Sequence, residues 1–170
     1  MKTLWIGDVP IAVESADKIS QSYEPIGGMT TLRTMRGAAV RQRTWRKLRT
    51  VIQVPAARLP VALQAIDLDA PHVIQCLAPR AVAAATRSIA LPTARRADVA
   101  PWGVAVLPSG FSQRVAGALS GNTLTLDAVP GALRYTAYYV PQFAALITEF
   151  SEQFDVRGSV VGWQITAEEI

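Results

Sequence analysis

Residues 29–54 read MTTLRTMRGAAVRQRTWRKLRTVIQV, and the fold turns on whether this stretch is strand or helix. Arg33, Arg36, Arg41, Arg43, Arg46, Lys47 and Arg49 supply seven of the chain's 17 cations, and no Asp or Glu occurs between Glu24 and Asp67. The charge therefore faces solvent, acidic residues elsewhere in the chain, another subunit or a polyanion. With period two from residue 40, one face carries Val40, Gln42, Thr44, Arg46, Leu48, Thr50, Ile52 and Val54. The other carries Arg41, Arg43, Trp45, Lys47, Arg49, Val51 and Gln53. One apolar or Thr-bearing side against one cationic side suits a half-buried antiparallel strand. Arg36-Gly37-Ala38 then reads as a tight turn from a preceding strand at residues 30–35. A helix competes, because Val40, Thr44, Leu48 and Ile52 also recur every four residues and Pro55 would end it. Abundant Thr, Val, Ile and Trp with little Ala or Glu favours the strand.

Working outward, residues 4–13 read as two short strands around Gly7-Asp8 or as one strand with a turn, and residues 19–26 as an extended run into the turn Pro25-Ile26-Gly27-Gly28. Residues 56–66 are rich in Ala and Leu with Pro60 at a first helical turn, which predicts a short helix. Residues 73–77, fenced by Pro71 and Pro79, predict a buried strand. Residues 81–90 fit helix or strand. Residues 92–101, with few apolar anchors and the pair Arg95-Arg96, predict a long exposed loop ordered by a neighbouring molecule, and a possible subdivision of the single 1–170 domain into a basic N-terminal and a C-terminal β part. Strand signals follow at 103–107, 113–119, 123–126, 133–140, 144–150 and 159–166, each bounded by Gly, Pro, Asn or Asp. Residues 122–131 with 133–139 predict a hairpin, since Leu124, Leu126, Leu133, Tyr135 and Ala137 alternate. The expected class is all-β or mainly β, sandwich- or barrel-like with short helical segments, its core including Trp163, Ile165, Tyr135 and Val161 or Val160.

A chain of 170 residues can bury a core without staples. A lone cysteine, Cys76, rules out an intrachain disulfide and points to a reducing compartment. The N-terminal run is broken by Gly7, Asp8 and Pro10, so neither a signal peptide nor a membrane span is expected. The net charge of +4 permits nucleic-acid binding without requiring it. Charge is also polarised along the chain: after residue 148 come Glu149, Glu152, Asp155, Glu168 and Glu169 against Arg157 alone. Such a molecule can satisfy itself or pair head to tail with copies of itself.

Catalytic signals are sparse. His72 is the sole histidine and lies between apolar strand signals, reading as structural. Cys76 sits in Val-Ile-Gln-Cys-Leu with no adjacent cation, reading as a core thiol. Asp67 and Asp69 read as turn residues, and Gly27-Gly28 lacks the spacing and lysine of a phosphate-cradling loop. No enzyme, cofactor or metal site is expected. Trp45 among cations is the one feature that suggests single-stranded nucleic acid, which gives the alternative of a basic β-rich binding module.

Several segments together resemble a known family: Gln21-Ser-Tyr-Glu-Pro-Ile-Gly-Gly28, Thr44-Trp-Arg-Lys-Leu-Arg49, Ala78-Pro-Arg80, Phe154-Asp-Val-Arg-Gly158 and Gly162-Trp-Gln-Ile-Thr-Ala-Glu-Glu169. They are similar to small tail-tip or baseplate proteins of long-tailed, siphovirus-like bacteriophages, comparable in role to the distal tail protein. The resemblance implies a non-catalytic β-rich subunit of the virion tail, made in the bacterial host cytoplasm. It also implies a ring of three or six copies around the tail axis, joining the tail tube to the distal tip and hub. Sugar-binding variants of that family carry an inserted domain, for which 170 residues leave little room. If copies meet in a ring, Arg41, Arg43, Trp45, Arg46, Lys47 and Arg49, with Arg95 and Arg96 of the loop, are expected at interfaces opposite Glu149, Glu152 or Asp155.

Overall fold

In the computed structural model the described residues are 3–11, 19–158 and 160–170, with the backbone alone at 160. Strands hold 56% of the chain and helix 3%, so the protein is mainly β. The chain forms two compact units, and the division does not fall in the 92–101 loop. One unit comprises Met1–Leu4 with Gln75–Phe143, the other Trp5–Ile74 with Ala144–Ile170.

The second unit is built on a seven-stranded sheet. Its strands are β1 (Trp5–Ile6), β2 (Val9–Pro10), β3 (Ser20–Ile26), β6 (Lys47–Pro55), β7 (His72–Gln75), β15 (Gln142–Phe154) and β16 (Val160–Glu169). They lie in the order β2-β1-β7-β15-β16-β6-β3. Alternation in β6 is as the sequence predicts: Leu48, Thr50, Ile52 and Val54 are buried while Lys47, Arg49, Val51 and Gln53 are not. The register sets Trp163 opposite Val54, Ile165 opposite Ile52 and Ala167 opposite Thr50, so their side chains share the buried face. Thr50 is tolerated there because its hydroxyl donates to the Ser22 carbonyl and accepts from Gln21 Nε2, both at 3.0 Å. Val161 is exposed, and the Val160 side chain lies outside the described residues.

Pro60 opens a single-turn helix, α1 (Val61–Gln64), that buries Leu63. The predicted long strand from residue 40 is in fact two. β4 (Met29–Arg33) and β5 (Ala39–Arg43) pair with each other as a separate ribbon, and Thr44-Trp45-Arg46 breaks the chain before β6.

The first unit has a four-stranded and a three-stranded sheet. The larger joins β11 (Ser112–Val115), β10 (Trp102–Val106), β14 (Arg134–Tyr139) and β8 (Arg80–Ala84), in that order. The smaller joins β12 (Gly117–Ser120), β13 (Thr123–Leu126) and β9 (Ser88–Ala90). Residues 81–90 are thus strands, not helix. The hairpin expected from 122–139 does not form. β13 has both edges occupied by β12 and β9, so β14 pairs with β10 and β8 instead. Leu124, Leu126, Tyr135 and Ala137 still meet in one core with Ile89, Leu91, Ala105, Val115 and Tyr139. Leu133 is exposed.

The 92–101 segment is anchored, contrary to the sequence expectation. Leu91 and Val99 are buried, and Arg96, only 2% exposed, donates to both Asp98 oxygens (2.9 and 2.6 Å). The same guanidinium donates to the carbonyls of Thr3 (2.6 Å) and Cys76 (3.0 Å). The hydrogen bonds from Arg96 hold the Asp98 carboxyl below its usual range, with desolvation opposing. Arg95 donates to Pro92 O (2.7 Å), Asn122 Oδ1 (2.8 Å) and Gly121 O (2.9 Å). Two guanidinium groups do the anchoring that apolar side chains were too few to do, and a charge pair in sequence reads as a solvated loop unless its acceptors are known.

Candidate assembly interface

The β4–β5 ribbon begins where the chain leaves the sheet after β3. Its turn closes through Thr34 N–H to Ala38 O (2.9 Å), Gly37 N–H to Thr34 O (2.8 Å) and Arg33 Nη1 to Gly37 O (3.0 Å). Gly37 sits at φ +80°, a region glycine enters without strain. At the base, the Thr44 N–H (3.0 Å) and hydroxyl (3.1 Å) both donate to Gly28 O. A Cβ on Gly28 would lie 2.8 Å from Trp45 Nε1, so the indole closes over that glycine.

Every residue of β4 and β5 is exposed. Register assigns the two faces. Met29/Arg43, Thr31/Arg41 and Arg33/Ala39 lie on one, Thr30/Gln42 and Leu32/Val40 on the other. One side is cationic, and the other carries an apolar pair exposed to 50% and 47%. A two-stranded ribbon with neither face packed is marginal by itself in water. At its root, Pro25, Met29, Arg41, Arg43 and Arg46 line a groove of about 570 Å³. Arg41 donates to Met29 Sδ at 2.9 Å, and among the described residues no carboxylate pairs with Arg33, Arg36, Arg41, Arg43 or Arg46.

The cationic run therefore divides at Arg46. Lys47 Nζ donates to the Ile170 carbonyl (2.6 Å), and Arg49 bridges Glu24 (3.2 Å) and Glu168 (2.6 Å). These three residues lie abreast on β3, β6 and β16, on the sheet face opposite Ile52. The hydrogen bond to Glu168 raises the Arg49 pKa above its ordinary value, against partial desolvation. Lys47 and Arg49 are thus engaged within the chain and are not the free interface cations the sequence suggests. Arg96 is likewise buried. Trp45, 51% exposed with its ring against Gly28, offers half a surface.

The acidic candidates also separate. Glu149 Oε2 accepts from the Thr166 hydroxyl (3.1 Å) and borders a groove of about 500 Å³ with Glu24, Arg49, Val51, Thr148, Gln164, Thr166 and Glu168. Glu152 instead accepts from Leu59 N–H (3.3 Å), and Asp155 accepts from Arg157 N–H (2.9 Å) in the turn after β15. Sequence reading missed Glu24 and Glu168 because their proximity to Glu149 is set by strand order, which no local pattern encodes.

Among the described residues no group of His, Cys, Asp and Glu is placed to hold a metal ion. Cys76 is fully buried. His72 Nε2 lies 2.5 Å from the Asp67 carbonyl, and its ring packs against Gly7. No model of a known protein family matches the chain, and no curated protein matches it.

Proposed function

We propose that this chain is a structural subunit that works by assembling with copies of itself. Following its resemblance to tail-tip and baseplate proteins, the assembly is a ring around a bacteriophage tail axis, of three or six copies, between the tail tube and the distal tip. The observation that carries the self-assembly reading is the β4–β5 arm, which exposes an apolar pair on one face and, on the other, arginines with no carboxylate partner among the described residues. A nucleic acid would use the arginines but leave Leu32 and Val40 in water. A protein neighbour can cover both, and apolar burial gains about 25 cal/mol per Å². The Trp45 indole, closed against Gly28, also makes a poorer base-stacking platform than a free ring.

Light scattering on size-fractionated protein, across a salt series with and without an oligonucleotide, tests the proposal. A discrete closed oligomer that ignores the oligonucleotide is expected. A species that stays monomeric at millimolar concentration and binds the oligonucleotide would overturn it.

A further inference from the structure

The arm and the acidic groove are complementary in charge, and among the described residues the arm's cationic face has no carboxylate partner while the groove sets three carboxylates against one cation. On the arm's cationic face Arg33, Arg41 and Arg43 have no carboxylate among the described residues. In the groove Glu24, Glu149 and Glu168 surround the single cation Arg49. Each of these carboxylates commits one oxygen within the chain. Arg49 Nε (2.8 Å) and Nη2 (2.6 Å) both reach Glu168 Oε1, Arg49 Nη1 reaches Glu24 Oε2 (3.2 Å), and Thr166 reaches Glu149 Oε2 (3.1 Å). Glu168 Oε2, Glu24 Oε1 and Glu149 Oε1 accept nothing within the described residues. Three open carboxylate oxygens on one sheet face are acceptors for guanidinium forks.

We infer that the cationic face of the β4–β5 arm of one copy seats in the Glu24/Glu149/Glu168 groove of the next. This rests on the self-assembly reading above and names the two surfaces that mate. Arm and groove are different patches of one chain, so the contact can repeat head to tail from copy to copy around a ring. A five-residue strand is about 17 Å long, which sets Arg41 and Arg43, two residues apart on one face, about 7 Å from each other. That spacing lets both reach carboxylates on neighbouring strands, which lie about 5 Å apart. The groove floor adds Val51 and the methyls of Thr148 and Thr166 for Met29 and Thr31 to cover.

Reciprocal charge reversal tests this pairing. One variant carries Arg41→Glu with Arg43→Glu, the other Glu24→Lys with Glu149→Lys, which leaves Arg49 its closer partner Glu168. Each alone is expected to require about tenfold or more higher concentration to assemble than wild type. A single chain carrying all four substitutions is expected to assemble near the wild-type concentration, because every reversed arm then meets a reversed groove whatever the copy number of the ring. Circular dichroism and melting curves matching wild type establish that both variants fold, and Arg41→Gln with Arg43→Gln gives a milder version should the reversal not fold. Wild-type assembly by either folded reversal variant, or no rescue in the chain carrying all four substitutions, overturns the inference and leaves the self-assembly reading standing. A wild type that never assembles overturns both. Unchanged assembly with lost oligonucleotide binding in the arm variant assigns the arm to nucleic acid instead.

Discussion

Replacing Arg96 by Ala removes four hydrogen bonds made by one buried guanidinium. The losses differ. The Asp98 side chain is 59% exposed, so water re-solvates its carboxylate and the pair itself contributes about 0–1 kcal/mol. The Thr3 carbonyl lies at a half-buried residue where water can replace the donor in part. The Cys76 carbonyl bond is buried, and removing a donor from such a group costs about 1–3 kcal/mol. With the lost packing of the arginine stem, the substitution should destabilise by about 2–4 kcal/mol. For 170 residues that lowers the melting temperature by about 4–16 °C, read by tryptophan fluorescence in urea and by calorimetry. Arg96→Met keeps most of the stem volume but no donor and should recover little. A Met variant as stable as wild type, or an Ala variant within about 0.5 kcal/mol of it, would refute the view that these hydrogen bonds anchor the segment. Limited trypsin digestion gives a second readout: the native chain should resist cleavage after Arg95 and Arg96, and Arg96→Ala should be cut after Arg95.

Gly162 in β16 sits at φ +151°, and a Cβ there would lie 2.7 Å from the Val54 carbonyl oxygen and 3.0 Å from Pro55 Cα. Gly162→Ala should therefore cost about 1–3 kcal/mol in urea denaturation, and an unchanged midpoint would show that the strand relaxes without penalty. Asp98 has a folded pKa below its unfolded one, so the native state binds fewer protons across that interval. Its contribution is present above the unfolded carboxyl pKa and disappears as pH falls through the folded value. Comparing urea midpoints at neutral and at strongly acidic pH, Asp98→Asn should lose less stability on acidification than wild type, and an equal loss would contradict the assignment.

The β class of this chain was legible from sequence because it rests on local alternation: Leu48, Thr50, Ile52 and Val54 on one face, and Gly- or Pro-marked ends on nearly every strand. The burial of Trp163, Ile165 and Tyr135 followed from the same period. Local pattern carries no record of which strand lies beside which, so the 122–139 hairpin was misread although its inward residues do share a core. The break at Thr44–Arg46 was hidden for the same reason, since period two runs through it unchanged while the ribbon before it leaves the sheet. Composition showed a cationic run without nearby acids. Only the strand order β3-β6-β16 decided that Arg49 is claimed by Glu24 and Glu168 while Arg41 and Arg43 are not. Ion pairs form between side chains a few ångströms apart in space, 25 and 119 residues apart along this chain, and that separation is a property of the tertiary structure alone.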